Sequence, residues 1–161
     1  MRSSQVVRRR GIGIVGGEAG MLVALLVAAG LGALRHQPFD QPIRLAASLL
    51  MGRAALIGGD GATLILGALV LAVLGALAGV WFAFLCDWFP GLAQTPDTLV
   101  LAGATYAAFL WLIGFYLFGF LLWPWLPQTD PVAYALAALA GGATLGSLFA
   151  LAGVQRPSRL D

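Results

Sequence analysis

The chain has 161 residues, 60% of them hydrophobic and only 10% charged, with a mean hydropathy of +0.92. Soluble domains carry about 25% charged residues, so a water-soluble globular fold is excluded and no segment is polar enough to form a separate soluble domain. The net charge of +2 is built on arginine without lysine, and its placement beside apolar runs points to membrane orientation and anionic lipid, not to nucleic acid.

The predicted elements are set by the gaps between charges, because an ionised side chain is costly in hydrocarbon. Arg8, Arg9 and Arg10 precede an apolar run, which resembles a secretory signal, but the run is long and no Ala-x-Ala cleavage site comes after it. It reads as a first span, Gly11–Leu34, with small-residue pairs Gly13/Gly17 and Gly16/Gly20 on one face. Such pairs let helices approach closely where acyl chains give no hydrophobic drive to associate. The span holds one charge, Glu18, about 10 Å deep at about 1.5 Å per residue. An intramembrane carboxyl is a candidate proton relay or substrate ligand. It serves equally as a hydrogen-bonded tie between helices. Depth matching assigns it Thr105, Tyr106 and Trp81 as partners.

The link from Arg35 to Ala62 opens polar and then predicts an interfacial helix over Ile43–Ile57, lying on the membrane. At 100° per residue Leu45, Leu49, Leu50, Leu56 and Ile57 share an arc with Arg53 in its middle. Arg53, like Arg8, Arg9 and Arg10, is read as a contact to lipid headgroups or to a partner. Gly58-Gly59-Asp60-Gly61 breaks the helix; it lacks the Lys-Ser/Thr end of a phosphate loop and reads as a turn, with Asp60 as N-cap of the second span.

That second span is predicted over Thr63–Cys86, with Gly75/Gly79 at helical spacing. A short link containing Pro90, Gly91 and Pro96 leads to a third span, Leu99–Leu122, whose Gly103, Ala107 and Gly114 form a small-residue stripe. Seven aromatics flank that stripe, from Tyr106 to Phe120. They face lipid or a neighbouring subunit while the glycines pack inward, or they line a groove for a quinone or pigment. A second short link, through Pro124 and Pro127, precedes the fourth span, Pro131–Val154, with Gly142/Gly146. Short links predict that spans two, three and four are antiparallel neighbours.

The chain therefore reads as a single all-α membrane domain, a bundle of four transmembrane helices. Six arginines fall on the side of the termini (Arg2, Arg8, Arg9, Arg10, Arg156, Arg159) and three on the other (Arg35, Arg44, Arg53), which places both termini in the cytoplasm. His36 is the only histidine and Cys86 the only cysteine. No intrachain bis-histidine haem, multi-ligand metal site or disulfide is available, and no nucleophile–His–acid set or Gly-x-Ser-x-Gly motif occurs.

The Gly-rich first helix, the Pro38-Phe39-Asp40-Gln41-Pro42 loop with a half-buried helix after it, and three further spans resemble in layout four-helix bacterial inner-membrane proteins of uncharacterised function. That resemblance implies the layout and no activity. The sequence thus predicts a non-enzymatic accessory or assembly subunit of a larger bacterial inner-membrane complex, respiratory or photosynthetic. Such a subunit has no cofactor of its own beyond bound lipid, quinone or pigment, and its partners are other membrane subunits and lipids. A small transporter or channel using Glu18, and a quinone- or pigment-binding protein, stand as alternatives.

Overall fold

The structure, a computed structural model, describes residues 2–57, 60–93, 95–126 and 129–152, with side chains described from Arg10 onward except those of Pro90 and Ala93. The side chains of Arg8 and Arg9, the Gly58-Gly59 pair, Pro127, the last residues of the predicted fourth span and the Arg156/Arg159 tail lie outside that set. Every element among the described residues is helical: α1 (Arg2–Ala33), α2 (Gln41–Met51), α3 (Gly61–Trp88), α4 (Pro96–Leu112), α5 (Gly119–Leu122) and α6 (Pro131–Leu151). A π-helical turn, Ile113–Phe118, joins α4 to α5, so that Pro96–Leu122 forms one continuous rod. Four stretches, Arg10–Ala33, Gly61–Trp88, Pro96–Leu122 and Pro131–Leu151, are long and apolar enough to cross a membrane.

Local chemistry sets the helix starts. Asp60 caps α3: the Thr63 amide donates to its Oδ1 at 3.0 Å, and the Thr63 hydroxyl bonds the same oxygen. These bonds hold the Asp60 carboxyl below its ordinary pKa. Thr95 and Thr98 cap α4 reciprocally, ahead of Pro96 in the first turn. Asp130 caps α6, accepting from the Ala133 amide at 3.2 Å, and its other oxygen pairs with Arg35 at the end of α1.

The predicted interfacial helix is shorter and better embedded than its sequence suggested. It ends at Met51 because Gly52 turns at φ 74°, a conformation costly for other residues, and a 3-10 turn, Arg53–Leu56, comes next. That break dissolves the expected arc: Leu45 is buried, whereas Leu50 and Ile57 are 68% and 83% exposed. Arg53 stands exposed on the 3-10 turn. Instead of only lying on a surface, α2 packs on α3, with Gly67 against the Ile43 backbone and Ala47 and Ser48 fully buried.

In the bundle, α3 packs on α1, α1 on α6, and α6 on α4. The contacts are backbone to backbone. A Cβ at Gly13 would lie 2.7 Å from the Gly79 carbonyl oxygen, and one at Gly20 2.6 Å from that of Gly141. Gly17 meets Gly75, Gly103 meets Gly142, and Gly146 meets the Leu99 carbonyl. Gly16 lies under Leu145, and Ala107 touches Gly142. Gly114 departs from the stripe, because a Cβ there would meet nothing within 4 Å.

Of the antiparallel neighbours expected from the short links, spans three and four pack closely as α4 on α6, whereas spans two and three meet at one end. The rods α3 and α4 come together only toward the end where α1 begins. There the Tyr106 hydroxyl donates to the Ala78 carbonyl at 2.9 Å, and Phe82 lies 5.4 Å from the Tyr106 ring. A core of Phe82, Ala83, Cys86, Leu99, Leu145 and Phe149 closes that end. The physical reason lies in how the smooth faces are used. The glycines of α3 are taken by α1 and α2, and Gly103 of α4 by α6, so the faces that α3 and α4 turn to each other carry Leu71, Leu74, Leu110 and Trp111.

Substituting Gly79 and Gly114 separates packing glycines from the rest. Gly79→Ala should destabilise the fold by about 1–3 kcal/mol through forced separation of α1 and α3, whereas Gly114→Ala should leave thermal unfolding in detergent unchanged. Equal effects of the two would contradict this packing.

Candidate functional site

Because α3 and α4 stand apart over the half of the bundle nearer α2, a groove of about 510 Å³ opens between them. Small-molecule sites typically span about 300–1,000 Å³. Leu71, Leu74 and Ala78 form one wall and Leu110, Trp111 and Gly114 the other. The floor comes from the small residues of α1 and α6, among them Gly20, Ala24, Ala138 and Gly141. Pro42, Leu45, Ala46 and Leu49 of α2 roof one end, and Tyr106 marks the other.

The roof is tied down by the link after α5. The Trp123 indole N–H donates to the Leu49 carbonyl at 3.0 Å, and the Trp125 indole to the Ser48 hydroxyl at 3.1 Å. Leu45, Phe115 and Leu126 form a buried cluster under it, with Trp111, Trp123 and Tyr134 packed against its edge. The rings there lie in sequence: Trp111 is 5.9 Å from Phe115, and Phe115 is 5.6 Å from Tyr134. Arg44 pairs with Asp40 at 2.7 Å, so charge at this end is largely matched within the fold.

Among the lining residues only Tyr106, Trp111 and Tyr134 carry a polar side-chain atom. The Tyr106 hydroxyl is satisfied by Ala78. The Trp111 indole nitrogen is buried without a hydrogen-bond partner among the described residues. Leaving a buried donor unmet costs about 1–3 kcal/mol, and such donors are uncommon in folded proteins. It sits two residues before the π-helical turn, a feature that recurs at functional sites.

The polar cluster expected around Glu18 does not assemble among the described residues. Glu18 is half-buried where α1 crosses α3, its Oε1 3.5 Å from where a Cβ on Gly75 would be, and it does not line the groove. Trp81 is 57% exposed and Thr105 is exposed, both turned outward. Of the four, Tyr106 alone faces the groove. Arg10 lies over the Phe84 ring at 4.9 Å, a cation–π contact. His36 is exposed in the turn after α1, at φ 60°. No group of three metal-ligating side chains occurs among the described residues.

The third-span aromatics fall into outward and groove-lining sets. Phe109, Tyr116 and Phe120 are exposed, Tyr106, Trp111 and Phe115 line the groove, and Phe118 lines it while staying 45% exposed. Sequence reasoning missed the wall from Leu71 to Ala78 and the docking glycine Gly67. The one available signal was the bulk of Leu71 and Leu74 beside Gly75.

Replacing Trp123 by Phe keeps the ring and removes the bond to Leu49. It should cost about 1 kcal/mol and speed amide exchange in α2 selectively, leaving α6 unchanged. Uniform exchange across both helices would contradict a tethered roof. No protein-family model matches the chain, and searches of the curated proteins and of the solved structures likewise return no match.

Proposed function

We propose that the protein is a multi-pass component of a bacterial inner membrane, without chemistry of its own, that holds an apolar ligand drawn from the bilayer in the groove between α3 and α4. One observation carries this reading: a groove of about 510 Å³ lined almost wholly by apolar side chains, with no charged residue among those that line it. In water such a groove and the surrounding exposed leucines and phenylalanines would drive aggregation. In a bilayer they are solvated.

The arginine distribution supports cytoplasmic termini, and the resemblance in layout supports the bacterial setting. The exposed faces of α3 and α4 leave surface for partner subunits, so an accessory place in a larger complex fits the same geometry. A conducting path is disfavoured, since it needs several polar groups along a common lumen, and Glu18, Thr105 and Trp81 share none.

The test uses the full chain purified in mild detergent, with bound small molecules identified by mass spectrometry. The wild-type protein should retain one class of apolar molecule well above its abundance in the source membrane. Gly114→Leu, which projects into open space, should lose it while keeping the wild-type melting temperature. Identical profiles for both proteins, matching bulk lipid, would overturn the proposal.

A further inference from the structure

We propose that the outer face of α1 and α3 around Glu18 docks a transmembrane helix of another protein, one that carries a lysine or arginine at the depth of Glu18. This surface is separate from the groove, which Glu18 does not line.

The first observation is a carboxyl without a complement. Glu18 lies about 10 Å inside the start of its span at about 1.5 Å per residue. It is half-buried, with Oε1 3.5 Å from where a Cβ on Gly75 would be. Carboxyls at such depth are costly and pair with other polar groups, yet no cation or hydroxyl among the described residues reaches this one. Arg10 lies over the Phe84 ring, Arg35 pairs with Asp130, Arg44 pairs with Asp40, and Arg53 is exposed on its turn. The Tyr106 hydroxyl donates to Ala78, and those of Thr144 and Ser147 donate to carbonyls of their own helix.

The second is the face around it. Ile14 and Leu22, one turn before and after Glu18, are 44% and 59% exposed, so the bundle leaves this side of α1 open. On α3, Ala72 is exposed and Ala76 half-buried. At 100° per residue they fall on the flank of Gly75 away from Leu74 and Ala78, which wall the groove. Small side chains beside the carboxyl let a further helix come close.

The third is what other occupants lack. The four apolar stretches contain no lysine, and no arginine beyond Arg10 at the start of the first. A second copy would therefore set Glu18 against carboxyl or hydrocarbon. Lipid headgroups carry their cations at the interface, about 10 Å above Glu18 at about 1.5 Å per residue. A cation at this depth comes on a membrane-spanning helix of a different chain.

The experiment places the full chain in phosphatidylcholine vesicles with a labelled leucine–alanine transmembrane peptide that carries one lysine a third of the way along, and reads association by energy transfer. Peptides with leucine or glutamate in place of that lysine are the paired probes. Wild type should bind the lysine peptide about 10-fold more tightly than the leucine peptide, the effect of one hydrogen bond to a charged group. This comparison needs no variant. Glu18→Gln, which keeps the shape and removes the charge, should abolish the preference while leaving leucine-peptide binding and the melting temperature in detergent unchanged. Equal wild-type affinity for the lysine and leucine peptides would overturn the proposal, as would a preference for the glutamate peptide or an undiminished lysine preference in Glu18→Gln. Energy transfer between copies of the chain that Glu18→Gln abolishes would also overturn it, giving the site to a second copy. Gly114→Leu should bind the lysine peptide as wild type does, so failure here and failure of the groove reading are distinguishable.

Discussion

Close approach of helix backbones through glycine is the constraint on which the rest of this architecture depends. Between helices in acyl chains there is no gain from hiding leucine from water, so association relies on van der Waals contact at short range. Each helix has a limited length of smooth face to offer. The face of α1 is used twice, through Gly13 and Gly17 on α3 and through Gly16 and Gly20 on α6, which makes α1 the centre of the bundle. The smooth face of α4 is taken up by α6. Nothing smooth remains for α3 and α4 to share, so their bulky faces stand apart and the groove is the remainder of that allocation.

Such a remainder is of use only if something stops it from collapsing or flooding with bulk lipid. Here α2 has that part. Its buried Ala47 and Ser48 fix it on α3, and the two indoles of the α5–α6 link hold its carbonyl and hydroxyl from the other side. The polar groups of this end are matched among themselves, Arg35 with Asp130 and Arg44 with Asp40, leaving Arg53 outward. Among the described residues of this end, the buried Trp111 indole nitrogen has no hydrogen-bond partner.

Much of the fold was legible in the sequence, because charge gaps, glycine spacing and cap residues are local signals. Asp60 as a cap, Gly103 and Gly142 as contacts, and the four long apolar helices could all be read from spacing. The order of helices around the bundle could not. A link of a few residues between Trp88 and Pro96 constrains which ends meet, while side-chain bulk decides whether the rods lie together, and that depends on residues from all four helices. The same nonlocality hid the site. Gly114 carries the right spacing for packing yet faces open space, and Glu18, conspicuous as the lone charge of its span, sits at a helix crossing away from the groove. Trp111 looked like one aromatic of seven until its neighbours were known.

Disulfide trapping in native membranes reads the gap between α3 and α4 directly. A disulfide needs Cβ atoms about 3.5–4.5 Å apart. Cysteines at Leu74 and Leu110, on opposite walls of the groove, should therefore stay reduced under mild oxidant. Rapid coupling of Leu74→Cys with Leu110→Cys would show the two rods in contact, and the groove would not exist.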